Sequence, residues 1–83
     1  MRTIHKYPLH GSLVLLPKGA KIIEVARQGN AMQIWAEIDT EEEQFENVNI
    51  VMLGTGWNIP ENAIHLKTVH DGEFVWHFYE VKS

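Results

Sequence analysis

Residues 64–81 read IHLKTVHDGEFVWHFYEV, and this stretch decides the fold class. Two runs rich in β-branched and aromatic residues flank the pair Asp71-Gly72. Such a pair between two apolar runs is the strongest short-range signal of a β-hairpin. The pattern predicts strands over 64–70 and 73–81 with the turn at 71–72, and this register decides which side chains share a face.

The second strand of this hairpin is apolar on both faces. Its side chains form two alternating sets, with Phe74, Trp76 and Phe78 on one face and Val75, Tyr79 and Val81 on the other. A strand that is buried on both sides is either central in its sheet or covered by a second subunit. Because one layer of so small a domain can hardly shield both faces, we expect a homo-oligomer.

Upstream of the hairpin, short apolar runs alternate with turn residues. These runs predict five more strands, over 3–7, 12–16, 21–27, 32–39 and 48–53. Pro8 ends the first run and indicates an edge strand. Because no segment shows a long helical period, we predict one all-β domain over residues 1–83, a small antiparallel β-sandwich or barrel of about six to seven short strands. A capping-box pattern at 40–43 predicts at most one short helical turn, or an ordered acidic loop.

Charge and composition exclude several classes of function. The net charge is −4, from seven Lys and Arg against eleven Asp and Glu, which argues against a surface for extended duplex nucleic acid. No cysteine is present, so neither a disulfide framework nor a thiolate metal site is expected. The longest apolar run, 13–17, is too short to cross a membrane, and residues 1–6 do not read as a signal peptide. We expect a soluble protein that stays in the cell where it is made.

The five histidines raise the question of a metal site. In the predicted register His70 and His77 share a face but lie about four residues apart, or about 13 Å, which is too far for one ion. His65 is expected on the opposite face. We therefore expect no metal, no cofactor and half-exposed strand histidines.

Catalytic residues are not evident either. Neither serine, Ser12 nor Ser83, lies in a nucleophile-elbow sequence. Acid–base chemistry could use Glu73, Glu80 or Asp71 near His70 and His77, but acids beside histidines are common on hairpin surfaces. The enzyme hypothesis therefore ranks last.

The segment Gly54-Thr55-Gly56-Trp57 is the best candidate for ligand binding. Two glycines around a threonine can bring backbone N–H groups together into an anion-binding nest, with Trp57 as a flat stacking face. The alternative is a strand-ending bulge in which glycine relieves strain. Trp35, on the polar side of its strand, and Lys67, predicted opposite Trp76, complete the predicted site. Lys67 and Trp76 would form either a structural cation–π pair or a binding place, where a ligand's ring stacks and the ammonium lies near its phosphate.

Five acids lie within residues 39–46 and support a second hypothesis. Glu41, Glu42 and Glu43 would imitate nucleic-acid phosphates and occupy a basic surface of a host protein. A solvated loop is the plainer account of this stretch.

Four segments resemble a known family when they are taken in order: 1–9 (MRTIHKYPL), 16–22 (LPKGAKI), 53–56 (LGTG) and 72–80 (GEFVWHFYE). They are similar to a family of short uncharacterised proteins that tailed phages and prophages encode. Residues 34–36 read Ile-Trp-Ala where such relatives carry Leu-Trp-Ala. The resemblance implies an accessory phage protein in the cytoplasm of an infected bacterium. Such proteins often blunt host defences, so the leading hypothesis is a non-enzymatic module that sequesters a nucleotide-type signalling molecule.

Overall fold

Seven strands and no helix make up the part of the chain described by the computed structural model, residues 1–82. The strands are β1 (Arg2–Pro8), β2 (Leu13–Pro17), β3 (Lys21–Gln28), β4 (Ala31–Asp39), β5 (Phe45–Gly54), β6 (Ala63–Asp71) and β7 (Phe74–Val81). The all-β prediction is confirmed.

The strands form two open antiparallel sheets. The three-stranded sheet has the order β1-β4-β3, and the four-stranded sheet has the order β2-β5-β7-β6. The molecule measures 41 × 31 × 17 Å, and its thin dimension fits two layers packed about 10 Å apart. Of the two predicted architectures the structure is the sandwich, because neither sheet closes on itself. The strand that ends at Pro8 lies at a sheet edge, as predicted.

The core lies between the two sheets and follows from strict alternation along the strands. Val25 and Ile34 come from the three-stranded sheet, and Leu16, Ile50 and Phe78 come from the four-stranded sheet. These five side chains are at most 2% exposed. The buried side chains of the two sheets therefore meet in one shared apolar layer.

Strand β7 is central in its sheet, between β5 and β6. Phe78 is buried in the core, and Trp76 packs against the core from the same face of the strand. The opposite face of β7, with Val75, Tyr79 and Val81, is only partly buried. The core between the sheets covers one apolar face of this strand. No layer formed by the described residues covers the second face.

The hairpin turn differs by one residue from the prediction. Asp71 pairs with Phe74, so the turn residues are Gly72 and Glu73. Gly72 has a φ of +61°, and glycine at the first of two turn positions is the arrangement of type II′ hairpins.

This turn, together with a bulge at Leu66, changes the predicted pairs. Lys67 lies opposite Phe78, and Trp76 lies opposite Val69. The predicted pairing of Lys67 with Trp76 is wrong because the turn lies one residue later than predicted. The bulge also turns His65 to the same face as His77, whereas the prediction had placed it on the opposite face.

The acidic stretch forms a turn without helix between β4 and β5. The Asp39 carboxylate accepts hydrogen bonds from the Glu41 N–H at 3.0 Å and the Met1 amino group at 3.2 Å. These bonds hold the pKa of Asp39 below its usual range. The predicted helical turn does not form because Asp39, one residue before the expected cap, bends the chain into a short local turn instead.

Side chains join the two sheets along one side, where β3 of one sheet meets β6 of the other. The Lys67 ammonium lies 2.9 Å from the Glu24 carboxylate, and the Arg27 guanidinium lies 2.6 Å from the Asp71 carboxylate. The hydrogen bond from Lys67 holds the pKa of Glu24 below its ordinary value. We call this row of two ion pairs the β3–β6 seam.

Candidate functional site

The Gly54–Trp57 segment is a tight turn at the end of β5. The Trp57 N–H donates to the Gly54 carbonyl at 3.1 Å, and Gly56 has a φ of +91°, as the third position of a type II turn requires. The Trp57 N–H is thus used inside the turn and cannot serve in the predicted anion-binding nest.

The Trp57 indole folds back over Gly54 at the start of the turn. A Cβ atom placed on Gly54 would lie 2.8 Å from Cε2 of the indole. Glycine at position 54 is therefore required by the close approach of this ring. Trp57 also packs edge-on against Trp76, at 6.1 Å between ring centroids, yet it stays 58% exposed. The result is a fixed aromatic face that is open to solvent.

A chain of hydrogen-bonded side chains runs from this turn across the outer side of the four-stranded sheet. Thr55 Oγ1 lies 2.9 Å from His77 Nε2, and His77 Nδ1 lies 3.0 Å from Thr68 Oγ1. Thr68 Oγ1 lies in turn 2.9 Å from His65 Nε2. The ring of His65 packs edge-on against Tyr79. Both nitrogens of His77 are therefore occupied, so the ring of His77 is held in one orientation.

Part of this chain of side chains borders a cleft of about 220 Å³, the Trp57 cleft. Its walls are formed by Leu53, the turn 54–57, Ile59, His77 and Tyr79. A second shallow cleft of about 370 Å³ lies along Glu73–Trp76 and shares Trp57 and Thr55 with the first. The indole thus forms a wall common to two clefts.

A larger cleft of about 720 Å³ opens between the sheets, beside residues 9–12 and 30–32. Core residues Ile50 and Phe78 contribute to its lining. It is the open end of the sandwich core, and the described residues that line it include neither a tryptophan nor a hydrogen-bonded pair of side chains. We therefore assign the candidate site to the smaller Trp57 cleft, because specific recognition needs placed polar groups.

The structure separates the predicted ligand residues. Gly54, Thr55, Gly56 and Trp57 lie together at the cleft. Trp35 lies on the outer side of the three-stranded sheet, where its cross-strand neighbours are Lys6 and Glu24.

Lys67 also lies away from the cleft, in the β3–β6 seam with Glu24. None of the residues that line the Trp57 cleft is Lys or Arg. The site therefore has hydrogen-bonding side chains and an aromatic face but no fixed positive charge for a phosphate.

Sequence reasoning missed Thr68 and Tyr79 as neighbours of this site. Thr68 lies opposite His77 because the turn is one residue later than predicted. Tyr79 shares the face of His77 by the alternation of β7, but sequence reasoning did not connect either residue with the Gly54–Trp57 segment. His77 itself was considered as a metal ligand and as an acid–base candidate, not as part of a binding site.

The predicted partner residues are not among those that line this cleft. Glu41 and Glu43 are exposed, while Glu42 is half-buried and accepts a hydrogen bond from the Gln44 N–H. Glu41 also lies 3.6 Å from the Met1 amino group.

Among residues 1–82 no group of three His, Cys, Asp or Glu side chains could hold a metal ion. Within the same residues no helix is long and apolar enough to span a membrane. Ser83, considered above as a nucleophile, lies outside the described residues.

Comparison with known proteins identifies the family. No curated protein and no solved structure matches the chain. The sequence does match, over residues 1–83, the family described as a domain of unknown function (DUF7352). The match covers the whole chain, so the turn, the cleft and both sheets all lie within the family's domain. The protein is a member of the DUF7352 family.

Proposed function

We propose that this protein is a non-enzymatic binding module that holds the base of a nucleotide-type ligand in the Trp57 cleft. The observation that carries the proposal is the cleft that the exposed Trp57 lines together with the hydrogen-bonded pair of Thr55 and His77. Stacking of a base on an aromatic side chain contributes about 1–3 kcal/mol. The edge of the base would hydrogen-bond with the Thr55 hydroxyl, which His77 holds in place.

The size and charge of the cleft favour a base over a whole nucleotide. Its volume of about 220 Å³ is below the range of about 300–1,000 Å³ of pockets that enclose drug-sized ligands. The absence of Lys and Arg from its lining leaves the phosphates of a bound nucleotide in solvent. The contacts therefore favour ligands that present an accessible ring.

The resemblance to phage-encoded proteins supports a biological setting. In that setting the protein acts in the cytoplasm of an infected bacterium and sequesters a nucleotide-type signal of the host's defence. Sequestration needs binding alone, and the Trp57 cleft offers recognition groups for it.

Thermal unfolding with a panel of ligands tests the proposal. The panel contains cyclic dinucleotides, ADP-ribose and AMP, with ribose 5-phosphate as a control that lacks a base. Ligand at about 100 times its Kd should stabilise the protein by about 2.7 kcal/mol. Absence of a shift with every base-containing ligand at saturating concentration would contradict the proposal.

Two tryptophan variants locate the binding. Trp57→Ala should abolish the shift, because it removes the stacking face. Trp35→Ala, which removes an indole from the other sheet, should retain it. Equal loss of binding in both variants would show that the effect is general and not specific to the cleft.

The acidic turn supports a second candidate function, inhibition of a host protein through its basic surface. Its backbone is held by the carboxylates of Asp39 and Glu42, and the Glu41 side chain is 85% exposed. Reversal to Lys at Glu41, Glu42 and Glu43 should abolish capture of a partner from host lysate. Glu61→Lys, at an exposed position elsewhere, is the control. Capture that survives the triple reversal would refute this candidate.

A further inference from the structure

The two sheets differ sharply in the charge of their outer faces. The outer side of the three-stranded sheet carries six charged residues in register: Arg2, Lys6, Lys21, Glu24, Glu37 and Asp39. In the four-stranded sheet the charged strand residues are Glu46, Lys67, Asp71 and Glu80. The alternation of side chains places all four on the side of the sheet that faces the core, at the margin of the core. Within the described residues, the strands of the four-stranded sheet thus present an outer face without a formal charge.

That face is also largely apolar. Leu13 and Leu15 on β2 are 59% and 58% exposed. Val51 and Leu53 on β5 lie directly opposite Tyr79 and His77 on β7. We call this surface the uncharged face. A soluble domain that exposes such a surface usually uses it as an interface.

We propose that a second copy of this chain covers the uncharged face, so that the protein forms a dimer with two four-stranded sheets stacked face to face. A twofold axis brings each surface against itself. Because the uncharged face carries no formal charge, this pairing opposes no like charges, although each chain has a net charge of −4.

The area of the face reaches what a specific dimer needs. Strands β2, β5, β7 and β6 have 5, 10, 8 and 9 residues, and at about 3.3 Å per residue and about 4.8 Å per strand they give a face of about 500 Å². Stacking two such faces removes about 1,000 Å² from solvent, which is about the minimum for a specific interface. A chain of 83 residues buries a smaller share of its own surface than a larger domain does, and the dimer supplies a further layer.

The dimer also closes the Trp57 cleft, a step that rests on the proposed function. Leu53, His77 and Tyr79 line the cleft and lie on the uncharged face. A partner's sheet stacked there covers the open side of the cleft, so a bound ring is enclosed between two chains.

Sedimentation of the ligand-free protein tests the interface. At about 100 µM, a hundredfold above a micromolar Kd, the wild type should sediment as a dimer. The double variant Leu13→Lys/Leu15→Lys places two charges on exposed positions of the face and should be monomeric. Val51→Lys, nearer the middle of the face, is a second disrupting variant.

Ile4→Lys is the matched control, since Ile4 is 52% exposed on the outer side of the other sheet. It should remain dimeric. A monomeric wild type, or folded lysine variants on the uncharged face that remain dimeric, would overturn the proposal. Circular dichroism of each variant establishes that it is folded.

Titration with the base-containing ligand that gives the largest thermal shift separates the interface from the site. The monomeric double variant should bind this ligand at least about tenfold more weakly, because the cleft has lost its second wall. A dimer that binds no ligand of the panel would overturn the binding proposal and leave the interface intact. Equal affinity in monomer and dimer would overturn only the closure of the cleft.

Discussion

At the scale of single residues, Gly54 and Trp57 show how one missing side chain makes a site. The backbone of Gly54 is extended in β5, so its role is not conformational freedom. The Trp57 ring lies where a Cβ atom would be, at 2.8 Å from Cε2. If residue 54 carried a Cβ atom, the indole would have to move away from Trp76 and from the cleft.

We predict that Gly54→Ala displaces the Trp57 ring and lowers the free energy of unfolding by about 1–3 kcal/mol, as overpacking does. Urea unfolding measures the loss, and tryptophan fluorescence reports the displacement. In a Trp57→Ala background the same glycine substitution should cost much less, because the clashing ring is gone. Equal costs in both backgrounds would show that the contact between residues 54 and 57 is not the cause.

His77 is the second residue on which the site depends, because it connects Thr55 to Thr68. We predict that His77→Phe lowers the free energy of unfolding by about 1–3 kcal/mol, since the half-buried Thr68 hydroxyl loses a partner. The double variant His77→Phe/Thr68→Val should recover part of that loss, because the half-buried hydroxyl is then gone and the Thr55 hydroxyl is exposed to water. A double variant less stable than the single one would contradict this reading of the chain.

At the scale of elements, the sequence predicts all seven strands but not how the last two align. Val, Ile and aromatic residues bounded by Gly and Pro mark each strand within a few positions. The register of β6 against β7 depends on which residue takes the positive φ, and Gly72 takes it at the first turn position. The bulge at Leu66 has no local signature, so the neighbours of His65 could not be read from alternation.

The same elements explain why only half of the candidate site was predictable. Gly54, Thr55, Gly56 and Trp57 are adjacent in the chain, so their grouping needs no tertiary information. Trp35 and Lys67 were added on the assumption that residues off the core face meet. Trp35 lies instead on the three-stranded sheet, and Lys67 lies in the β3–β6 seam.

The β3–β6 seam gives a prediction for the pH dependence of stability. Because the pKa of Glu24 is lowered in the folded state, the unfolded chain binds the proton more readily, and stability rises with pH in that window. The contribution of Glu24 is complete above its ordinary pKa of 4.5 and is lost as the pH falls through the lowered value. Both side chains of the Glu24–Lys67 pair are more than 40% exposed, so we expect about 0.2–1 kcal/mol.

Urea unfolding of the wild type and Lys67→Met between pH 3 and pH 7, about the range in which carboxylates titrate, measures this contribution. The difference in stability between the two proteins should shrink as the pH falls below 4.5. Arg27→Met, which removes the other ion pair of the seam, should leave the acid dependence of Glu24 in place. A difference that stays constant over the whole range would contradict the assignment.

At the scale of the whole molecule, stability depends on a thin core. Phe78 is 1% exposed at the centre of that core. Phe74 lies earlier on the same strand and is 61% exposed. The two positions share residue type, strand and face, and they differ in burial.

We predict that Phe78→Leu lowers the free energy of unfolding by about 1–2 kcal/mol and that Phe78→Ala lowers it by about 3–5 kcal/mol. Small domains have a total of about 5 kcal/mol at the low end, so the alanine variant should be largely unfolded. Phe74→Leu is the matched control and should change stability by no more than about 0.5 kcal/mol. Similar losses at both positions, measured by urea unfolding, would show that the core does not end where the structure places it.

The strand order has a consequence for how quickly the chain reaches this structure. Only β3–β4 and β6–β7 are hairpins between consecutive strands, whereas β1 pairs with β4, β2 with β5 and β5 with β7. Each of the latter three ladders must close a loop that contains at least one other strand, and such non-local pairing slows folding to milliseconds or seconds, about the rate of other all-β sandwiches. The two hairpins can form early and alone, but each sheet is complete only when an amino-terminal strand, β1 or β2, joins it. Refolding should therefore be limited by the arrival of these two strands.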